Sequence, residues 1–303
     1  MMTNVDIRLL RPGDETALEA FLAPRLATSM FLIGNMRLSG LAYNGERYTG
    51  DYVAAFEDGN IVGVAAHFWN GIIITQAPAY LDALWRAALT ASGRPLKGVI
   101  GPHKQVAVIK AALELEHYER QLDQQEKLYS LDLAALLVPE ALATGQVKGR
   151  RVEGHDADIL TRWRVGYDVE TLGEEESEQL WAQERAMAER ITAEGNTWIL
   201  EAEDRPVATS AFNTRLREAV QIGGVWTPPE YRRRGYARCV VAQSLLDARA
   251  EGVEKAILFT GEDNLAAQKA YTSLGFRHIG DYHLLMLRNP LNVAVEGNPT
   301  VLG

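Results

Sequence analysis

Two stretches far apart in the chain, "AAFEDGNIVGVAA" at 54–66 and "LEAEDRPVATSAF" at 200–212, align on their Glu-Asp pairs. In each, an alternating apolar run meets an acidic turn and then a second apolar run, the pattern of two antiparallel strands with a tight connection. A second pair follows in the same order: "GVIGPHKQVAVIKAALELE" at 98–116 against "ILFTGEDNLAAQKAYTSLG" at 257–275, with Gly101 on Gly261 and the apolar helix stripe in phase. A repeat of this length limits the fold more than any composition does, because each copy must be one unit built from the same ordered elements. Both halves read as helix, strand hairpin, strand, helix, strand, helix and closing strand. The small and polar segment "PEALATGQVKGRR" at 139–151 reads as a linker. The expectation is an α/β protein of two copies, residues 1–145 and residues 146–303.

Bulk properties narrow the class. The chain has 303 residues, 47% hydrophobic and 23% charged, enough for two cores. With 31 Lys plus Arg against 40 Asp plus Glu the net charge is -9, which argues against a nucleic-acid partner held by bulk electrostatics. Cys239 is the one cysteine, and the six histidines show no metal-ligand spacing, so no metal is expected. The opening "MMTNVDIRLLRPGDE" has no apolar secretory core, and no apolar run approaches the ~18 residues of a membrane span. The expectation is a soluble, cytoplasmic protein with no membrane partner.

Against this acidic background, "VWTPPEYRRRGYA" at 225–237 puts three arginines before a glycine. Upstream, "EAVQIGGVWT" is apolar and β-branched enough for a buried strand, with Gly223 and Gly224 inviting a bulge and Pro228 and Pro229 ending it. Downstream, Ala237, Val240, Val241, Ser244, Leu245 and Ala248 recur at helical spacing. The run therefore occupies a strand-to-helix loop and the first turn of a helix. There, backbone N–H groups lack intrahelical partners and bind anions. Small residues at Gly235 and Ala237 let such an anion approach the backbone. The alternative is a solvated helix start, against which the dipole argues weakly. The first half has "ITQAPAYLDAL" at 74–84 in the corresponding place, without an Arg-Gly loop, and Lys104 and Ala111 opposite Asn264 and Tyr271. One intact site and one lost site is the simplest account.

The loop, with Arg232, Gly235 and Ala237 in register, resembles the pyrophosphate loop of the GNAT superfamily of acyl-CoA-dependent N-acyltransferases. "EDNLAAQKAYTSLGF" at 262–276 resembles that family's closing Asn-to-Tyr helix. The clear resemblance covers 198–287, and the first half resembles a degenerate copy. It implies two such modules in tandem, each a central, mostly antiparallel sheet flanked by helices, the second binding acetyl-CoA.

The resemblance also implies roles. Val225, Trp226 and Thr227 would pair by backbone with the pantetheine arm. Arg232, Arg233, Arg234, Gly235, Tyr236, Ala237 and Arg238 would hold the pyrophosphate, chiefly through the N–H groups from Arg233 to Arg238. Asn264 would cap its helix and touch the cofactor arm. Tyr271, seven residues on and so on nearly the same face, would return a proton to the leaving thiolate; without the motif it reads first as a core aromatic on a helix stripe. A base is expected on the strand before the loop, where Glu218 stands near the start and Gln221, better placed, cannot take a proton. In "ILTRWRVGYDVETLG" at 159–173, Trp163, Tyr167 and Glu170 share a helical face. That face is either a core stripe or an acceptor site holding a cationic amine.

The implied activity is transfer of an acetyl group from acetyl-CoA to a primary amine by direct attack. Two rival classes are a non-catalytic acyl-CoA sensor, which would need the loop but not Tyr271, and a nucleotide-phosphate binder. The lack of a Gly-Lys-Ser/Thr loop counts against the usual form of the latter. If the first copy stands in for a second subunit, the protein is a monomer.

Overall fold

The computed structural model describes residues 5–293. Its elements run twice through one series, which contains the expected order and adds an opening strand and a second helix before the hairpin. The first series is β1 (Val5–Leu9), α1 (Glu15–Leu22), α2 (Leu26–Ser39), β2 (Gly50–Glu57), β3 (Asn60–Phe68), β4 (Ile72–Gln76), α3 (Leu81–Ser92), β5 (Leu96–Pro102), α4 (His103–Ala112) and β6 (Arg120–Asp132). A short helix α5 (Glu140–Ala143) leads into β7 (Val147–Arg151), α6 (Ala157–Tyr167), α7 (Glu178–Glu194), β8 (Thr197–Ala202), β9 (Arg205–Arg215), β10 (Ala219–Trp226), α8 (Tyr236–Ala250), β11 (Lys255–Gly261), α9 (Leu265–Ser273) and β12 (Arg277–Leu291). The chain is α/β, two copies of one scheme.

Packing does not divide the chain by a single cut near 145. One compact unit takes residues up to Glu126 together with those from Asp281 onward, and the other runs from Lys127 to Gly280. The long strands β6 and β12 each give residues to both units. The reason lies in strand pairing: residues 282–286 of β12 pair antiparallel with β5, from Tyr282↔Pro102 to Met286↔Gly98. An unpartnered β5 would leave a row of backbone groups open on an edge.

Within each unit the strand scheme is the same. In the first, β1, β2, β3 and β4 run antiparallel in sequence, and β4 then pairs parallel with β5. In the second, β7, β8, β9 and β10 run antiparallel, and β10 pairs parallel with β11. A parallel neighbour demands a crossover, and α3 and α8 supply it. The core of the second unit forms where α8 covers the sheet, with Val240, Val241, Leu245 and Ala248 packed on Trp198, Leu200, Val220 and Ile222. Trp198 Nε1 donates to Asp247 Oδ2 on α8 at 2.7 Å, so the one polar edge of this indole is satisfied.

One sequence expectation is corrected here. Glu15–Ser39 is 25 residues long and contains an 18-residue window with a mean hydropathy of 1.3, long and apolar enough by composition to cross a membrane. The segment is not one straight helix, because Pro24 sits in a 3-10 turn (Ala23–Arg25) between α1 and α2. Its Leu18, Leu22, Leu32 and Ile33 are fully buried, as core side chains are.

The first unit also builds a chain of titratable groups. His103 Nδ1 lies 3.0 Å from His283 Nδ1 with the rings stacked, and His283 Nε2 lies 2.8 Å from Asp123 Oδ1. Asp123 also takes Lys110 Nζ at 2.5 Å and Arg120 Nε at 3.2 Å. A carboxylate only accepts, so His283 carries its proton on Nε2, and its Nδ1 accepts from His103. Burial holds the His283 imidazole below its ordinary value, with His103 and Lys110 adding to the effect and Asp123 opposing it. The unfolded chain then binds the proton more readily, so this stability is present above the ordinary histidine value of ~6.5 and lost as pH falls through the folded value. His283 should therefore pull the thermal midpoint down between pH 7 and pH 5, so the midpoint of His283→Gln, set against that of the wild type, should decline less in calorimetric scans across that range.

Candidate active site

The parallel ladder between β10 and β11 runs from Ala219↔Lys255 to Gln221↔Ile257 and stops there, although the strands continue to Trp226 and Gly261. Beyond that rung they part and form a fork. On its other side β10 stays paired with β9, but the register shifts between Gly223 and Trp226. Gly224 sits inside that shift with φ +58, a conformation that L side chains rarely adopt. The bulge anticipated at Gly223 and Gly224 is thus present, and it lets β10 swing away from β11.

Pro228 and Pro229 then stop the strand, and a 3-10 turn (Pro229–Tyr231) leads into the loop. Arg233 adopts φ +64 and Gly235 φ +80, so the backbone reverses twice before α8 begins at Tyr236. The Arg232 N–H bonds Pro229 O, and the next N–H bonded to backbone across this turn is that of Cys239, to Gly235 O. Among the described residues, no hydrogen bond occupies the N–H groups from Arg233 to Arg238. A concave run of free donors at a helix start is an anion seat. Arg233, Arg234 and Arg238 are exposed around it. A Cβ on Gly235 would meet Arg238 Nε at 3.1 Å, inside this seat.

Arg232 does something else. Its Nε donates to Thr227 O at 2.9 Å, and its two Nη atoms bond both oxygens of Glu170 at 2.8 Å. The guanidinium also lies 4.8 Å from the centre of the Trp226 ring. The residue clamps the strand end to the turn that carries Glu170, a π-helical turn (Asp168–Leu172) at the end of α6. A planar fork matching a carboxylate while stacked on an indole is a contact lysine cannot make.

The expectation that Glu170 lines an acceptor amine is corrected by this pairing, since both its oxygens are taken by Arg232. Trp163 is core, buried beside Trp226, and Tyr167 is half-buried, its ring meeting Trp226 edge-on at 5.9 Å. The cation on this face is the chain's own arginine. Glu218 is also displaced from its expected role. It precedes β10, with its carbonyl accepting from Glu254 and Lys255 N–H, at the end of the strand away from the fork. At ~3.3 Å per residue the length of β10 separates it from the loop. It cannot serve as the base there.

The other expected residues lie on the strand end, the start of α8 and α9. Val225 packs on the α8 core, Trp226 is 9% exposed and Thr227 follows at the strand end. Tyr236 and Ala237 form the first turn of α8 and are half-buried. Asn264 Oδ1 accepts from Ala267 N at 3.1 Å and caps α9. Tyr271 lies on α9, 8% exposed, with its ring edge-on to Phe276 at 6.0 Å. Cys239 is buried, which raises its thiol above the ordinary value, and it faces the core.

Sequence reading missed a buried carboxylate pair. Asp168 and Glu184 are each 8% exposed, and Arg164 is ion-paired to Glu184. A signal existed, since Leu180, Glu184 and Ala188 form one buried stripe of α7 with a charge in its middle. Burial, reinforced by the Glu184 charge, pushes the Asp168 carboxyl up to about 6. A raised value means stability present below the ordinary carboxylate range and lost as pH rises through about 6. Asp168→Asn should therefore stabilise the protein at pH 7.5, with a gain that shrinks steadily between pH 6 and pH 4, read from denaturant midpoints across that range. A hollow of about 440 Å³ on α7, lined by Trp181, Arg185 and their neighbours, shares no residue with the loop.

Comparison with known proteins bears on the fold. Most of the chain shares its fold with a Drosophila protein (TM-score 0.64, 12% identity, 94% of this chain and 99% of that one). It also shares it with a tandem GNAT protein from the clavulanic acid biosynthesis pathway (TM-score 0.55, 14% identity, 93% and 97%). The class is a tandem GNAT fold. The model of the acetyltransferase (GNAT) family matches residues 158–276, and this segment is a domain of that family. Human N-acetyltransferase 8 is 34% identical over 88 residues, 27% of this chain. The match spans 39% of the human protein's length.

Proposed function

We propose that the second unit transfers the acetyl group of acetyl-CoA to a primary amine by direct attack, without an acyl-enzyme. The observation that carries this is the loop from Arg233 to Arg238, whose N–H groups have no other duty in the fold. Those donors and the exposed Arg233, Arg234 and Arg238 fit a pyrophosphate, and the open backbone of β10 beyond Gln221 fits an extended amide-bearing arm. Acetyl-CoA would supply an acyl group already activated as a thioester.

The chain's own residues then have separable tasks. A backbone N–H of the stretch Val225–Thr227, exposed by the fork, polarises the thioester carbonyl, which counts most where charge develops. Tyr271 gives a proton to the departing thiolate; a phenol with an ordinary value near ~10 keeps that proton at neutral pH. The amine attacks in its neutral form; the proton its nitrogen loses as the amide forms passes to solvent, from which Tyr271 regains the one it gives to the sulfur. No acid side chain stands on β10, whose sequence is AVQIGGVW.

The first unit supports a single site. At its matching fork, Ala77 N–H donates to Gln105 Oε1 at 2.9 Å, so a side chain already takes the donor at the strand end. Tyr80, with φ +56, stands at the start of α3.

Calorimetric titration of acetyl-CoA should give one site per chain. Gly235→Asp should abolish it, because the added carboxylate enters the seat and an L residue is strained at φ +80. Two sites, or binding unchanged in the variant, would sink the assignment. Tyr271→Phe should lower thiol release by about 10²-fold while leaving acetyl-CoA affinity within twofold. Affinity kept with no turnover in the wild type would mark the alternative, a sensor of acyl-CoA, which the burial of Tyr271 among core residues favours.

A further inference from the structure

Among the described residues of the second unit, the buried side-chain nitrogen and oxygen atoms without a hydrogen bond are Arg190 Nε, Ser210 Oγ, Thr227 Oγ1 and both amide atoms of Gln221. All but the first lie on β9, on β10 or just beyond it. Gln221 is the extreme case, 1% exposed and with neither end of its carboxamide paired. It occupies the last rung before the fork opens. Val220 and Ile222 belong to the core under α8, so alternation puts Gln221 on the opposite face, where Ile199 and Trp226 meet α6 and α7 residues. On β10 it is the only side chain able both to donate and to accept a hydrogen bond.

A carboxamide buried with nothing on either end is rare and unfavourable, and an apolar side chain of similar length would fit here without that cost. Its two ends offer a donor and an acceptor side by side, the complement of another amide. We infer that Gln221 is a specificity-determining residue that pairs with an amide group of the reactants, carried either by the acceptor amine or by the pantetheine arm of the cofactor. This rests on the acyl-transfer reading above. Gln221 takes no proton at any step; it selects and orients.

The test uses the full chain and two variants, Gln221→Leu and the unbranched Gln221→Met, with acetyl-CoA and a matched pair of amines, glycinamide and ethylamine. If the amide belongs to the acceptor, the wild type turns over glycinamide with kcat/KM about tenfold above ethylamine once their different basicity is allowed for. Both variants then lose that preference with ethylamine unchanged. If it belongs to the pantetheine arm, both variants bind acetyl-CoA about tenfold more weakly by calorimetry. Thermal midpoints of the cofactor-free variants should equal or exceed that of the wild type, since the unpaired amide is gone. Neither loss, or lower midpoints alone, would make Gln221 a structural residue and overturn the inference. Failure of the wild type to bind acetyl-CoA is a separate result that removes the acyl-transfer reading and this inference with it.

Discussion

The separation of β10 from β11 after the Gln221↔Ile257 rung is the constraint on which the rest of the second unit depends. Two parallel strands would ordinarily stay paired along their length. Here the bulge at Gly224 turns one aside, and Pro228 and Pro229 keep it from returning. The parting leaves backbone groups open along one strand and aims the following loop at the start of α8. It also sets α9, which follows the other strand, so that Asn264 and Tyr271 come from the fork's far side. A domain with the same helices and an unbroken ladder would have the core but no place to act.

The four arginines of the loop region divide the work by environment. Arg232, held by Glu170, Thr227 O and the Trp226 ring, is part of the scaffold. Its pair with Glu170 is half-exposed, and pairs of that kind add little to stability. Its effect is positional, since it ties the π-helical turn after α6 to the end of β10. Arg233, Arg234 and Arg238 are left in solvent around free N–H groups. Cations weakly oppose the dipole at a helix start, and the free N–H groups beside them are what the proposed anion would join.

The first unit shows the same strand scheme put to other use. Its fork is filled by Gln105 in place of an open backbone, and its closing strand brings His283 against His103 and Asp123. The two units thus share a topology and differ in the side chains at the fork. The repeat is a statement about backbone; the site is a statement about a few residues on it.

Much of this was legible from the amino-acid order because it depends on local rules. Alternation and period specified the strands and helices, paired glycines marked the bulge, and Pro228, Pro229 and Gly235 marked the loop, since each acts through its own backbone conformation. The Asn264 cap and the Tyr271 spacing are local in the same way. What the order could not decide were partners distant along the chain. Arg232 was free to be a ligand until Glu170, 62 residues away, proved to be its counter-ion. The aromatic face of α6 was open to solvent or core until Trp226 covered it. Glu218 stood near the right strand but at its wrong end. The assignment of the last strand to the first unit follows from which edge needs a partner. Only the folded chain could show that Gln221 is buried with both ends of its amide unpaired, because an unmet hydrogen bond is a property of everything that surrounds a residue.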